Sequence, residues 1–552
     1  MQRANKWSFY LTNKLLIVRC VLLLLFGWCL IGVFPIINFE SDSINLITGC
    51  ELMWKNGIQI PPSFSYEWNM QPLIYLLIIF VKHIIPFFTC EQIYCTLTFF
   101  CTAGYLYLIS LFISKLIKTR WEYIMLILFL FPESYAISSY PNTAIFAAAS
   151  SLLGFYLITH YKSWNIYSAI LLVLAPLFRV DILIIYPVVF PLLLIKESWS
   201  KALAYSVFYA VSTIICISLI FWILNSNPLS TFDSFQDYVE NRIFSDKFII
   251  INITFFTFFN LLFILAGVIL LVRDKQMKYL LISFIPILIT YYVLKDFGNA
   301  TKHLLYILPF VAFIASYPIC YLKYLTKVQK RYFISPLIIF FILYSFISIS
   351  ITPASKPWIN KTYAIQHAHP LIKGASVQIS DQVEFSLGIG IGQIIPTADE
   401  LIPLTGSFFS PFYWSYIKTN EKNERKQITE IINNGKINHI AVITYNAISF
   451  LTHYLVMDGY KLSILPQEKD WNSDIRYFEK EGRVITVHYN EKDKDINNIT
   501  WAFQDIQKDK FYYFTGTDWE MYYINEGFTP AHSLTNRLSI INDLTIQDND
   551  YE

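Results

Sequence analysis

Two carboxylates, Glu40 and Asp42, flank a serine in the run Asn38-Phe39-Glu40-Ser41-Asp42-Ser43-Ile44-Asn45, directly after an apolar stretch at 15–37. A carboxylate at the boundary between membrane and water could take the proton of an acceptor hydroxyl or amine, or ligate a cation. Acids that follow a helix are more often simply solvated, and spacing alone favours that reading. Two acids one residue apart do not by themselves make a metal site. A second chemically loaded place is Leu177-Phe178-Arg179-Val180-Asp181, which interrupts a 32-residue apolar stretch. A third is Lys302-His303, at the head of another apolar run. Ionised groups at membrane depth are costly unless they meet water, a partner or an anion, and Arg179 and Asp181 could simply neutralise each other.

The elements that must position these residues follow from composition. Of 552 residues 55% are hydrophobic, 18% aromatic and only 15% charged, with a mean hydropathy of +0.45. Soluble domains carry roughly 25% charge. A disordered chain, a collagen-like rod and a disulfide-rich secreted scaffold are excluded by the same figures. The net charge of +2 gives no basic surface for nucleic acid. Its distribution says more, because residues 1–352 hold 24 Lys+Arg against 15 Asp+Glu and residues 353–552 hold 18 against 25. The pattern reads as a polytopic membrane domain, 1–352, followed by a soluble domain, 353–552, with an aromatic-rich acidic tail. All eight cysteines precede Pro353, so no disulfide framework is expected in the soluble part.

Apolar runs that cross or nearly cross a ~30 Å hydrocarbon layer fall at 15–37, 93–114, 121–137, 141–160, 164–178, 181–195, 201–225, 248–272, 277–294, 303–325 and 332–352. The run 72–90 is interrupted by Lys82, His83 and Pro86 and is read as a re-entrant or membrane-surface segment. With the N-terminus inside and eleven crossings, 17 of the 24 cations of 1–352 lie in cytoplasmic loops, as short cytoplasmic loops require. Counting 72–90 as a crossing would put Lys115, Lys118 and Arg120 outside. The first run is read as an uncleaved span, and the odd number of crossings puts 353–552 outside.

On this topology the polar features gather at outer ends. The first outward loop runs from Glu40 and Asp42 through Gly57 to Trp68-Asn69-Met70-Gln71-Pro72-Leu73-Ile74-Tyr75. This layout resembles the GT-C glycosyltransferases, the superfamily of protein O-mannosyltransferases and lipid A aminoarabinose transferases. Their first outer loop opens on an acid, passes a short helix and a Gly, and ends on Pro-Leu-aromatic. Similarity continues at Pro132-Glu133-Ser134 through Tyr140-Pro141-Asn142, at Arg179, and at Lys302-His303 through Pro309, where Lys and His stand in place of the family's Arg and Tyr. The resemblance covers roughly 14–352 and rests on order and spacing.

The expected fold is an α-helical polytopic membrane protein, GT-C-like, with about eleven spans and a re-entrant or surface segment, followed by a C-terminal extracytoplasmic α/β domain. The resemblance implies an inverting glycosyltransferase, in a bacterial inner membrane, that moves a sugar from a polyprenyl-phosphate donor to a lipid, glycan or protein acceptor. Asp42 would then be the base, with Glu40 assisting or joining it on a divalent cation; no other cofactor is implied. Arg179, Lys302 and His303 would hold the donor phosphate. Asn69, Glu133, Asn142 and Trp68 would contact substrate. The rivals are a transporter or flippase of lipid-linked glycans, a glycan polymerase or ligase, and a non-enzymatic envelope assembly protein.

In the outer part, strands are expected near 376–380, 439–444, 461–465 and 484–488, with helices over 421–432 and 447–457, a βαβ rhythm. The glycines of Leu387-Gly388-Ile389-Gly390-Ile391-Gly392 lack the following helix start that a nucleotide loop needs. His367 and His369 lack a nearby third ligand.

Overall fold

A computed structural model describes residues 41–56, 65–128, 131, 143–227, 258–294 and 305–324, then 347–353, 373–380, 383–389, 402–403, most of 426–434, 438–442, 445–464, 473–490, 511–514, 532–533 and 538–541. The described part is mostly helical. Leu, Ile, Phe and Ala dominate the apolar runs, and in runs of this length the backbone satisfies its own hydrogen bonds most simply as helix. Helices Cys90–Leu116 and Trp199–Ile223 hold 27 and 25 residues. At 1.5 Å per residue they are about 40 and 37 Å long. Among the described residues these two are long and apolar enough to cross a membrane. Helix Trp199–Ile223 leaves Leu203, Val207, Phe208, Ile214 and Leu219 exposed along its length, with exposed tryptophans at 199 and 222 near its two ends.

Other expected spans fall on shorter apolar helices, including Ala144–His160, Ile166–Phe178, Phe258–Arg273, Met277–Leu294 and Leu308–Ser316. The run 15–37 and residues 332–346 lie outside the described residues. At the far end of that last run the structure differs from the expectation: Ile347–Pro353 is a strand. Ile347-Ser348-Ile349-Ser350-Ile351 alternates with period two, the spacing of a pleated strand with one apolar face. Helix Pro72–Ile84 has 13 residues, about 20 Å, and is shorter than the hydrocarbon layer. Pro86 sits in the turn that follows, where Lys82 Nζ donates to the Phe88 carbonyl before helix Cys90–Leu116 begins.

Close packing brings the helices together where side chains are small. Helices Ala144–His160 and Ile166–Phe178 form a hairpin in which Gly154 faces Leu172, with the second helix capped by Asn165 Oδ1 accepting from the Tyr167 N–H at 2.9 Å. At Gly267, in Phe258–Arg273, a Cβ would lie 1.9 Å from the Ile314 carbonyl oxygen of Leu308–Ser316, so the two backbones can approach only because this residue is glycine.

The chain divides into two compact units that do not follow the sequence in order. The first comprises 1–36, 68–77 and 92–416; the second comprises 37–67, 78–91 and 417–552. The first contains, besides the helices, a four-stranded sheet ordered Lys373–Ser380, Val383–Ile389, Ile347–Pro353, Ile402–Pro403, with every described pairing antiparallel. Leu387–Ile389 belongs to one of its strands, while Gly390–Gly392 lie outside the described residues.

The second unit holds a seven-stranded mixed sheet, ordered His532–Ser533, Leu538–Ile541, Phe511–Phe514, His439–Val442, Arg483–Asn490, Ser473–Lys480, Lys461–Ile464. His439–Val442 lies parallel to both its neighbours. The hairpin Ser473–Lys480/Arg483–Asn490 turns on Glu481 and Gly482, both at positive φ (51° and 78°), the two-residue turn whose twist suits paired strands. Helix Tyr445–Met457 packs on this sheet and on helix Ser41–Asn56. Their shared core includes Ile44, Leu52, Ile440, Leu451, Leu455 and Val487. Helix Ser41–Asn56 is therefore part of the hydrophobic core of the second unit, together with elements of 417–552.

Candidate functional site

In the first unit the break in the 164–195 apolar stretch is one residue long. Arg179 is extended (φ −167°, ψ 117°), ending helix Ile166–Phe178 and starting the 3₁₀ segment Val180–Val188. Its Nε lies 3.0 Å from Asp181 Oδ2, with the two side chains only 10% and 14% exposed. The pair therefore neutralises itself, one of the two readings the spacing left open. It is also a junction. Arg179 Nη1 donates to Thr143 Oγ1 at 3.2 Å, Thr143 donates on to Gln71 Oε1 at 2.5 Å, and the Tyr306 hydroxyl donates to Asp181 Oδ1 at 2.6 Å. Gln71, Thr143, Arg179 and Tyr306 are all buried.

Each member of this network sits beside a motif singled out in the sequence. Gln71 immediately precedes Pro72, Thr143 follows Asn142, Arg179 is itself the break, and Tyr306 is three residues past His303. Segments up to 235 residues apart thus meet in one buried network of hydrogen bonds. A second contact ties the first segment down: Asn69 Oδ1 accepts from the Ser226 hydroxyl at 3.3 Å and the Asn227 N–H at 3.0 Å. Trp68 is buried with its ring edge-on to Tyr75 at 5.7 Å, so its indole packs inside the protein. Glu40, Glu133, Asn142, Lys302 and His303 lie outside the described residues. Asp42 is the second residue of helix Ser41–Asn56, and its side chain lies outside them too.

The second unit has its own buried polar chain, made of residues that sequence reasoning passed over. Thr48 donates its hydroxyl proton to the Ile44 carbonyl at 2.8 Å, an i−4 bond within the helix. Its oxygen lies 3.1 Å from His453 Nδ1, the tautomer of the ring setting which of the two donates. On the far side His453 Nε2 is 3.5 Å from Glu91 Oε2. Beside them Glu51 Oε1 accepts from the Cys90 N–H at 2.7 Å, capping a donor at the start of a helix that has no intrahelical partner. Burial pushes the Cys50 thiol well up, with Cys90 and Glu51 adding to the effect, so it is held as the neutral thiol. Among the described residues no group of three or more His, Cys, Asp or Glu is arranged to hold a metal ion.

For the first network a signal was available at three members, because Gln71 adjoins Pro72, Thr143 follows the polar turn Pro141-Asn142 and Arg179 is a charge in an apolar stretch, while Tyr306 stands between Leu305 and Ile307. For the second there was none. His453 stands in Ser449-Phe450-Leu451-Thr452-His453-Tyr454-Leu455, an ordinary amphipathic helix. No protein-family model, curated protein or solved structure matches this chain.

Proposed function

We propose that this chain is a GT-C-type integral membrane glycosyltransferase with about eleven spans. It moves a sugar from a polyprenyl-phosphate donor to a lipid, glycan or protein acceptor on the outer side of a bacterial inner membrane. The observation that carries the reading is the meeting of Gln71, Thr143, Arg179-Asp181 and Tyr306 in one buried network. These are the neighbours of the positions the family resemblance picks out, and nothing about their spacing in sequence requires them to meet. The exposed apolar length of Trp199–Ile223, with tryptophans about 35 Å apart, suits a lipid-facing helix with an aromatic residue at each interface. Grouping 37–67, 78–91 and 417–552 in one compact unit supports placing the first loop and the C-terminal domain on the same side.

In the reaction, Asp42 takes the proton of the acceptor hydroxyl or amine as that atom bonds to the anomeric carbon. The bond from carbon to the phosphate oxygen breaks with its electron pair left on the lipid phosphate, and attack from the opposite face inverts the centre. Cations stabilise the departing phosphate. Asp181 already balances Arg179, so Arg179 serves as an oriented donor and Lys302 as the further cation.

The test is transfer of labelled sugar from polyprenyl-phosphate donors to an envelope extract by the purified protein. Asp42→Asn is expected to lower transfer by roughly 10²- to 10⁴-fold, the usual worth of a general base, with abundance and insertion unchanged. Equal transfer by the variant and the parent removes Asp42 as base. A second reading, a carrier of lipid-linked glycans, draws on the buried ion pair among apolar helices, a feature of substrate pathways. Absence of transfer from every donor would favour it.

A further inference from the structure

The C-terminal domain holds the first-loop helix by its core, its polar interior and its end. Ile44 and Leu52 lie in the same core as Ile440, Leu451 and Val487. Near the helix end Lys55 Nζ donates to the Val456 carbonyl at 3.1 Å. Between these contacts runs the chain Glu91, His453, Thr48, in which His453 and Thr48 are fully buried and Glu91 is 6% exposed. Burying an imidazole between a hydroxyl and a carboxylate contributes little net stability, because desolvation offsets most of what the pairing returns. Apolar side chains of similar size could fill the same space. What the polar chain adds is register, since a hydrogen bond fixes both the rotation and the axial position of a helix, whereas an apolar contact tolerates sliding.

The three residues also come from three different segments. Thr48 lies on the loop helix, Glu91 in the first turn of Cys90–Leu116, and His453 at the middle of Tyr445–Met457. Glu51 adds a parallel tie from the loop helix to the Cys90 N–H at 2.7 Å. The loop helix is thereby pinned to the C-terminal domain through His453 and, through Glu51, to the start of Cys90–Leu116. Asp42 stands six residues before Thr48, about 9 Å along the same helix, so whatever fixes Thr48 fixes the base. Catalysis is sensitive to such placement: a shift of 1 Å can cost ~10²-fold in rate.

We propose that His453 is a positioning residue, and that the C-terminal domain acts through it as an obligatory part of the transferase site, locking the helix that carries Asp42. The proposal rests on the reading of Asp42 as base, and the experiment separates the two. The full-length protein in lipid nanodiscs is compared as parent, Thr48→Val, Thr48→Ser, His453→Leu and Asp42→Asn. Two readouts are taken: amide hydrogen exchange over residues 41–56, and kcat and KM for sugar transfer.

Thr48→Val, which keeps the shape and loses the hydroxyl, is expected to raise exchange in 41–56 while leaving strand Arg483–Asn490 protected. It should lower kcat ~10-fold or more with KM for the donor unchanged. Thr48→Ser restores the oxygen and should restore both readouts, which a packing role for the methyl would not do. His453→Leu should match or exceed Thr48→Val. Unchanged exchange over 41–56 in both Thr48→Val and His453→Leu overturns the clamp. Raised exchange with parental kcat, while Asp42→Asn is inactive, overturns the positioning role and leaves the base in place. Full activity of Asp42→Asn removes the base and with it the catalytic half of the proposal, the exchange data still deciding the clamp.

Discussion

The two buried polar networks solve the same problem with different chemistry. In the first unit an arginine and an aspartate, two residues apart, neutralise each other and recruit Thr143, Gln71 and Tyr306 from distant segments. In the second a histidine links a threonine and a glutamate from two other segments. The first is held by full charges in apolar surroundings, where the alternative to pairing is an ion stranded without solvent. The second is held by a neutral hydroxyl and a long 3.5 Å contact to Glu91. The difference predicts a division of labour: loss of a member of the Arg179 network should cost stability first, and loss of a member of the His453 chain should cost alignment more than stability.

The largest expected effect comes from stranding a charge. Asp181→Asn removes the carboxylate 3.0 Å from the buried Arg179 guanidinium and should destabilise the protein by about 3–5 kcal/mol, read as a drop in the thermal midpoint in detergent. A change within about 0.5 kcal/mol would show that the ion pair is not what holds that network together, and the contrast with the His453 chain would collapse. Removing one hydrogen bond to the same carboxylate is milder. Tyr306→Phe should cost about 1.5–3 kcal/mol, the usual range for a bond to a charged group. A smaller loss there than in Thr48→Val would reverse the ranking of the two networks.

The smallest effect is expected at the rim of the second unit. Lys480 donates to Asp458 Oδ2 at 2.9 Å and lies over the Tyr460 ring, and its pKa is raised chiefly by the hydrogen bond to Asp458. A raised lysine pKa means the folded state holds the proton more tightly than the unfolded one. The contribution is therefore complete below the unfolded value of about 10.4 and is lost as pH rises through the higher folded value. Both side chains are nearly a third exposed, so the pair is worth ~1 kcal/mol or less. Unfolding of the parent and Lys480→Met should differ slightly at about pH 8 and converge as pH rises through the raised folded-state pKa of the lysine. A difference that persists at high pH would assign the contact to packing of the lysine stem on Tyr460.

Much of the helical framework was legible because apolar runs and their interruptions are local. Arg179 stood out as a charge in a 32-residue apolar stretch, and the helix does break there. The expected strands and helix in the C-terminal part fall on Lys373–Ser380, His439–Val442, Tyr445–Met457, Lys461–Ile464 and Arg483–Asn490, each marked by alternation or by a turn at Gly. Strand Ile347–Pro353 was overlooked because its isoleucines prolong a hydrophobic run, and total hydropathy outweighed their alternation. Thr143, Tyr306 and Gln71 were not singled out, since a hydroxyl or an amide next to a proline has many ordinary uses.

What the sequence determined by itself was the inventory: apolar segments, the positions of cations along the chain, the acids Glu40 and Asp42, and the residues Pro72, Arg179 and Lys302 that stand at the ends or interruptions of apolar runs. Tertiary structure alone decided the grouping. That 37–67 folds with 417–552, and that a histidine at 453 reaches a threonine at 48, depends on contacts some four hundred residues apart. Local periodicity records which face of an element is apolar. It carries no record of which distant face will cover it, because burial is selected by area and shape and leaves the pairing to the folded chain.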